Sequence, residues 1–292
     1  MPDVVMTFKG QPYNLTEEPM IIGILNHTPD SFYAGSRIEG ERNIHRRIEE
    51  IMEQGGKMID VGGYSSRPDA AEVSEEEEWR RVKEVLDILK KEYPELPVSV
   101  DTFTASVARK SVEEGGADVI NDVSGGRIDP LMLQTVAELQ VPYVLMHMRG
   151  TPKTMQSLCE YKGRVADGVI EELLVTIQRL RELGLRKEHI ILDPGFGFSK
   201  TTEQNYELMS DLDKFRALDY PLYVGISRKS MIYRFFGTTP ADALNGTTVL
   251  NTYALLNGAH FIRVHDVKEA WEAMKMVQEL SLIHISEPTR LL

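Results

Sequence analysis

Eight short apolar runs, alternating with amphipathic stretches, constrain this chain more than any other feature. They occupy residues 20–26, 58–62, 98–101, 119–122, 143–147, 190–193, 222–226 and 261–265. The runs are β-rich and mostly lack polar alternation, as expected of parallel strands buried on both faces. Between them lie helical patterns; in 75–93, Trp79, Val82, Val85, Leu86 and Leu89 share one face. The acidic Glu75–Glu78 at that helix's start suits the dipole and is expected to be solvated. Eight strand–helix units predict a single-domain α/β (β/α)8 TIM barrel, with a doubly wound open sheet as the alternative. The barrel is favoured because polar residues recur at the strands' C-terminal ends: Asn26, Asp60, Asp101, Asn121, His147, Asp193, Ser227 and His265. A barrel brings those ends to one mouth, where an active site belongs. The domain is expected to span 1–280, with a hairpin at 4–15 over the barrel bottom. Residues 281–292 break the periodicity, contain Pro288 and are expected to be a read-through tail outside the fold.

Composition narrows the partners. A formal charge of -12 argues against nucleic acid, though local cations can still hold a small anion. Cys159 is the only cysteine, so no intrachain disulfide can form. The N-terminus lacks a signal-peptide layout and no apolar run would span a membrane. A soluble, cytoplasmic protein is expected.

The loops carry the chemistry. After the first strand, Asn26 and Asp30 offer oxygen ligands suited to Mg²⁺ in a long Gly/Ser-rich loop, with an ordinary turn as the alternative. After the second, Gly62 and Gly63 allow close backbone approach, and Ser65, Ser66 and Arg67 suit an anion. Asp193, followed by Pro-Gly-Phe-Gly-Phe, can accept two N–H bonds from an amidine-like edge while an aromatic ring stacks a flat ligand. Ser227-Arg228-Lys229-Ser230 sets two cations before a helix start, a carboxylate site in the making. Arg263 and His265 share a face of the last strand and look like a phosphate clamp. His147 reads as a structural histidine; Asp122 and His27 stay undecided. No Walker loop, zinc spacing or Ser-His-Asp order is present.

Eight segments taken in order, GILNHTPDSF, DVGGYSSRP, VSVDTF, INDVSGG, MHMRGTPKTMQ, ILDPGFGFSKT, VGISRKS and RVHD, resemble the dihydropteroate synthase family over about Met20 to Leu280. The resemblance implies a pterin-binding (β/α)8 barrel that joins 6-hydroxymethyl-7,8-dihydropterin diphosphate to p-aminobenzoate. It implies Asp101, Asn121, Asp193 and Lys229 around the pterin, and Asn26, Arg263 and His265 at the diphosphate, with Asn26 facing Mg²⁺. Thr28, Asp30, Ser66 and Arg67 would belong to two closing loops, and Phe32, Pro68, Phe198 and Ser230 to the p-aminobenzoate pocket. The principal catalytic set would be Asn26, Asp101, Lys229, Arg263 and His265. A homodimer and inhibition by sulfonamides are implied as well. The chain departs from the family at His27, usually small and apolar, Tyr64, usually Glu, Asp69, usually Gly, and Ser199, often Gly. A titratable His27 beside the diphosphate is one consequence to test. A methyltetrahydrofolate-binding corrinoid methyltransferase and a catalytically silent pterin-binding paralog are the competing readings.

Overall fold

In the computed structural model, residues 3–28, 37–64 and 73–286 are described. The chain opens with an antiparallel hairpin, β1 (Val5–Phe8) and β2 (Gln11–Asn14), joined at Lys9 and Gly10. Both joining residues have positive φ, 50° and 75°, the backbone a two-residue turn needs to match strand twist. Eight parallel strands follow: β3 (Met20–Asn26), β4 (Met58–Gly62), β5 (Val98–Asp101), β6 (Val119–Asp122), β7 (Tyr143–Met146), β8 (Ile190–Asp193), β9 (Tyr223–Val224) and β10 (Phe261–Val264). From β3 to β8 each strand pairs with the next, β9 pairs with β10, and β10 pairs with β3. A parallel bridge between Leu192 and Leu222 joins β8 to the β9 edge and closes the ring. The open-sheet alternative is therefore excluded. Strand β9 is shorter than the expected 222–226 because the chain turns at once, with Lys229 N–H donating to Ile226 O.

Helices α1 (Arg37–Glu53), α2 (Glu75–Glu92), α3 (Ala105–Glu113), α4 (Met132–Leu139), α5 (Val165–Glu182), α6 (Thr202–Ser210), α7 (Ser230–Phe236), α8 (Leu244–Leu256) and α9 (Val267–Ser286) surround the strands. Alternation along each strand makes two layers. Outward residues such as Ile59, Val61, Val100 and Leu192 pack against the helices, where Val82, Val85, Leu86 and Leu89 of α2 are buried as the periodicity predicts. Inward residues at the strand starts, Met20, Met58, Val119, Val144, Ile191, Tyr223 and Phe261, join Met6, Phe8 and Leu15 of the hairpin region in a second cluster. The hairpin thus seals the barrel's N-terminal end.

Two expectations are corrected here. Glu78 is not solvated: it is buried, and its carboxylate accepts from Thr102 Oγ1 at 2.6 Å and Thr104 Oγ1 at 3.0 Å. Helix α9 continues past residue 281 to Ser286, since that stretch holds neither Gly nor Pro and the first breaker is Pro288. Residues 287–292 lie outside the described ones. Among the described residues, no helix is long and apolar enough to cross a membrane.

Candidate active site

The barrel interior changes character one rung up from the sealed end. Two residues beyond Met58, Val119, Ile191 and Phe261, on the same inward face, stand Asp60, Asn121, Asp193 and Arg263. Asp101 occupies the corresponding place on β5.

Arg263 organises one side of this cup. Its Nε donates to Asp60 Oδ2 at 2.5 Å and its Nη2 to Asp101 Oδ2 at 2.9 Å. Asn121 Nδ2 donates to Asp60 Oδ2 at 3.2 Å and lies 3.5 Å from Tyr223 Oη. Tyr64, just beyond β4, donates its hydroxyl to Asp101 Oδ1 at 2.8 Å. Burial pushes the Asp101 carboxyl up to about 7; Arg263 opposes the rise and Asp60 adds to it. Burial works against the Arg263 cation, but Asp60 and Asp101 outweigh it and hold the guanidinium charged.

The opposite side is built from β8 and the loop after β9. Asp193 Oδ1 accepts from Gly195 N–H at 2.8 Å, while among the described residues its Oδ2 has no hydrogen-bond donor. Burial raises the Asp193 carboxyl and the nearby Lys229 limits the rise. Lys229 donates to Phe196 O and places Nζ 4.7 Å from the centre of the Phe198 ring. Burial lowers its ammonium to about 8, with Asp193 acting in the other direction. Gly195 is obligatory: its φ is 73°, and a Cβ there would lie 1.9 Å from His147 O. Phe198 also joins Tyr64, Val123, Met146, Met148 and Met155 in an apolar cluster beside the charges.

Beneath this loop, buried Lys200 donates to Gly195 O and Phe198 O, both at 2.9 Å, and contacts His147 Nδ1 at 3.1 Å. Burial brings its ammonium down to about 7. The His147 imidazole is pushed to about 3 by burial and by Lys200, so the ring is neutral and structural. Its Nε2 lies 3.3 Å from Glu172 Oε2. Asp122 is also structural, accepting from Ser124 N–H, Gly126 N–H and Tyr143 Oη, each at 2.7 Å.

The adjacent cations part company. Arg228, at φ 54°, turns away and forms two 2.8 Å bonds with Asp266, while Lys229 enters the cup and Ser230 opens α7. His265 lies just past β10 on the exposed rim, its N–H donating to Ser227 Oγ at 3.1 Å. Partial desolvation and the Arg263 charge keep its imidazole below the usual range, although the residue as a whole is exposed. Arg263 and His265 therefore separate into an inner, acid-bound cation and a rim imidazole. Asn26 ends β3 opposite Gly62, where an added Cβ would come 2.9 Å from Asn26 Oδ1. Thr28 begins the loop that follows. His27 is turned toward α2, with Nε2 3.3 Å from Glu84 Oε2, so its ring is engaged with a helix carboxylate. Asp30, Phe32, Ser66, Arg67 and Pro68, with Asp69, lie outside the described residues.

Sequence reasoning missed Tyr64 and Lys200 as parts of the site and gave Asp60 no partner. A signal existed for Asp60, because a carboxylate inside the apolar run MIDVG must be paired once buried. Ser199 is legible only in three dimensions. Its φ is 52°, a cost for any residue but glycine, offset by hydrogen bonds between its hydroxyl and Arg149 N–H (2.7 Å) and O (3.0 Å).

As a class, the chain matches the family model described as "Pterin binding enzyme", over residues 22–265. It is 42% identical over 260 residues to the dihydropteroate synthase of Escherichia coli K12, covering 89% of this chain and 91% of that protein. The Yersinia pestis dihydropteroate synthase, solved as a sulfonamide drug complex, superposes with a TM-score of 0.86 at 37% identity, covering 95% of this chain and 99% of the other. The Xanthomonas albilineans dihydropteroate synthase, solved with 4-aminobenzoic acid, gives 0.87 at 34% identity, covering 98% and 100%. The chain belongs to the dihydropteroate synthase family of pterin-binding enzymes.

Proposed function

We propose that this chain condenses 6-hydroxymethyl-7,8-dihydropterin diphosphate with p-aminobenzoate to give 7,8-dihydropteroate and pyrophosphate. The observation that carries the reading is a carboxylate, Asp193, with one oxygen lacking a donor among the described residues, set beside Lys229 and across a small cup from Arg263. Asp193 receives the N–H edge of the pterin, Lys229 donates to its ring oxygen and nitrogen, and Asn121 and Asp101 complete the pocket. The C–O bond between the pterin methylene and the diphosphate breaks, and the electron pair leaves with the diphosphate. Arg263, whose Nη1 makes no hydrogen bond among the described residues, and His265 at the rim receive that growing charge. Asp101 faces the cation-like methylene. The arylamine lone pair then forms the C–N bond and its proton passes to water; an aniline is already a free base at neutral pH, so catalysis rests on position and leaving-group electrostatics.

The donor set fits Mg²⁺ in one manner. Asp60 and Asp101 are held by Arg263, and among the described residues no cluster of three metal-ligating side chains occurs. Asn26, at the end of β3, offers a neutral side-chain oxygen at the mouth. That set suits an ion that keeps its waters and arrives with a diphosphate. Asn26 would hold it, and the ion would supply charge neutralisation on the leaving group.

The family resemblance assigns Thr28, Asp30, Ser66 and Arg67 to the handling of the second substrate, and Phe32, Pro68, Phe198 and Ser230 to its pocket, where sulfonamides would compete. A homodimer is supported by Phe235, Phe236, Val249 and Leu256, apolar and exposed on α7 and α8. A cytoplasmic location accords with the lone Cys159. The test is pyrophosphate release with both substrates and Mg²⁺, and with each left out in turn. Release that does not depend on p-aminobenzoate would refute the reading. Methyl transfer from methyltetrahydrofolate would replace it with the corrinoid-enzyme reading, and pterin binding without turnover with the silent paralog.

A further inference from the structure

The residues after Asp101 are fixed from below. Thr102 and Thr104 both donate to the buried Glu78 of α2, so the backbone at the end of β5 has little freedom. What remains free is the Asp101 side chain, and two donors meet it. Arg263 takes Oδ2 at 2.9 Å and Tyr64 takes Oδ1 at 2.8 Å.

Tyr64 reaches this point through a close backbone approach. A Cβ on Gly63 would lie 2.8 Å from Glu78 O, and Gly63 O accepts from Arg81 at 3.0 Å, so the chain leaving β4 is pressed onto α2. The Tyr64 ring then returns over the strand ends and meets Phe103 edge-on, with ring centres 4.6 Å apart. The hydroxyl is buried with the ring, and a buried phenol without an acceptor is costly.

We propose that Tyr64 is a positioning residue: with Arg263 it grips both oxygens of Asp101 and fixes the plane in which that carboxylate meets the pterin methylene. The inference rests on the reaction proposed above. Burial and the neighbouring Asp101 hold the phenol well above its ordinary range, so it remains a donor at any working pH. The other charges acting on Asp101 are Arg263, Asp60, Glu78 and Lys229. Of these, only Arg263 donates to it.

Tyr64→Phe keeps the ring on Phe103 and removes only the hydroxyl. The experiment is a double-mutant cycle with Tyr64→Phe, Asp101→Asn and the pair, read as kcat for pyrophosphate release and as calorimetric affinity for 6-hydroxymethyl-7,8-dihydropterin diphosphate without p-aminobenzoate. In the wild-type background, Tyr64→Phe is expected to lower kcat by ~10-fold or more, as for loss of a hydrogen bond to a charged group, with the KM for p-aminobenzoate little changed. In the Asp101→Asn background the same change should alter either readout by no more than ~2-fold. Equal losses in both backgrounds, or no loss in the first, would overturn the proposal. Absence of pyrophosphate release from the wild type would instead defeat the reaction, and the coupling would still be decided by pterin affinity.

Discussion

The two ends of this barrel are made by the same strands and do opposite things. At the N-terminal end the inward residues are apolar and a hairpin closes over them. One rung higher, the same face carries Asp60, Asp101, Asn121, Asp193 and Arg263. The switch from Met58 to Asp60, or from Phe261 to Arg263, takes one strand period and no change in backbone geometry. The contrast teaches that the plug is a matter of packing alone, whereas the mouth depends on a cation, Arg263, that holds two buried carboxylates together. The two ends should therefore fail differently.

The largest effect is expected at the mouth. Arg263→Ala leaves Asp60 and Asp101 facing each other without their shared cation, and stranding one side of a buried ion pair costs ~3–5 kcal/mol. Denaturant unfolding should register that loss, and pyrophosphate release should fall by more than the unfolded fraction explains. At the plug, Phe8→Ala removes a ring that packs against Tyr13 and Phe261 and should cost about 3 kcal/mol of stability. Its kcat per folded molecule should match wild type. A fall in kcat without destabilisation would show that the ends are mechanically coupled.

The pH profile sharpens the same contrast. Asp101, at about 7, acts ionised and is lost to protonation as pH falls through that value. Lys229, at about 8, acts protonated and is lost as pH rises through that value. A bell-shaped kcat/KM centred between the two is the expected result, and Phe8→Ala should leave its limbs in place. A flat profile from pH 5 to 9 would contradict both assignments. The smallest effect belongs to Ser199→Gly, which relieves a left-handed backbone and removes two hydrogen bonds; the net should be within about 1 kcal/mol by thermal unfolding.

Much of this was legible from residue order. Strand positions followed from apolar runs, and the cup followed from polar residues at their ends, because both depend on the strand's period of two. The α2 core face was equally plain, since it depends on a helix period. What escaped depended on directions that no local pattern encodes. Glu78 sits in a run of four glutamates, and only the folded chain shows it meeting Thr102 and Thr104. Arg228 and Lys229 are neighbours with equal charge, and a positive φ at Arg228 decides which of them enters the cup. Arg263 and His265 share a parity, yet β10 ends at Val264 and only the first is held inside. Tyr64 belongs to a loop, so no periodicity places its hydroxyl.

The bond from Arg263 spans 203 residues to Asp60 and 162 to Asp101. The guanidinium that lets two acids share a small volume thus arrives only when the final strand docks. Without that strand Asp60 and Asp101 lack their shared cation, so an incomplete barrel has no functional mouth. The enzyme's last strand acts as a lock on its own completion, and catalytic competence reports that the whole circle has closed.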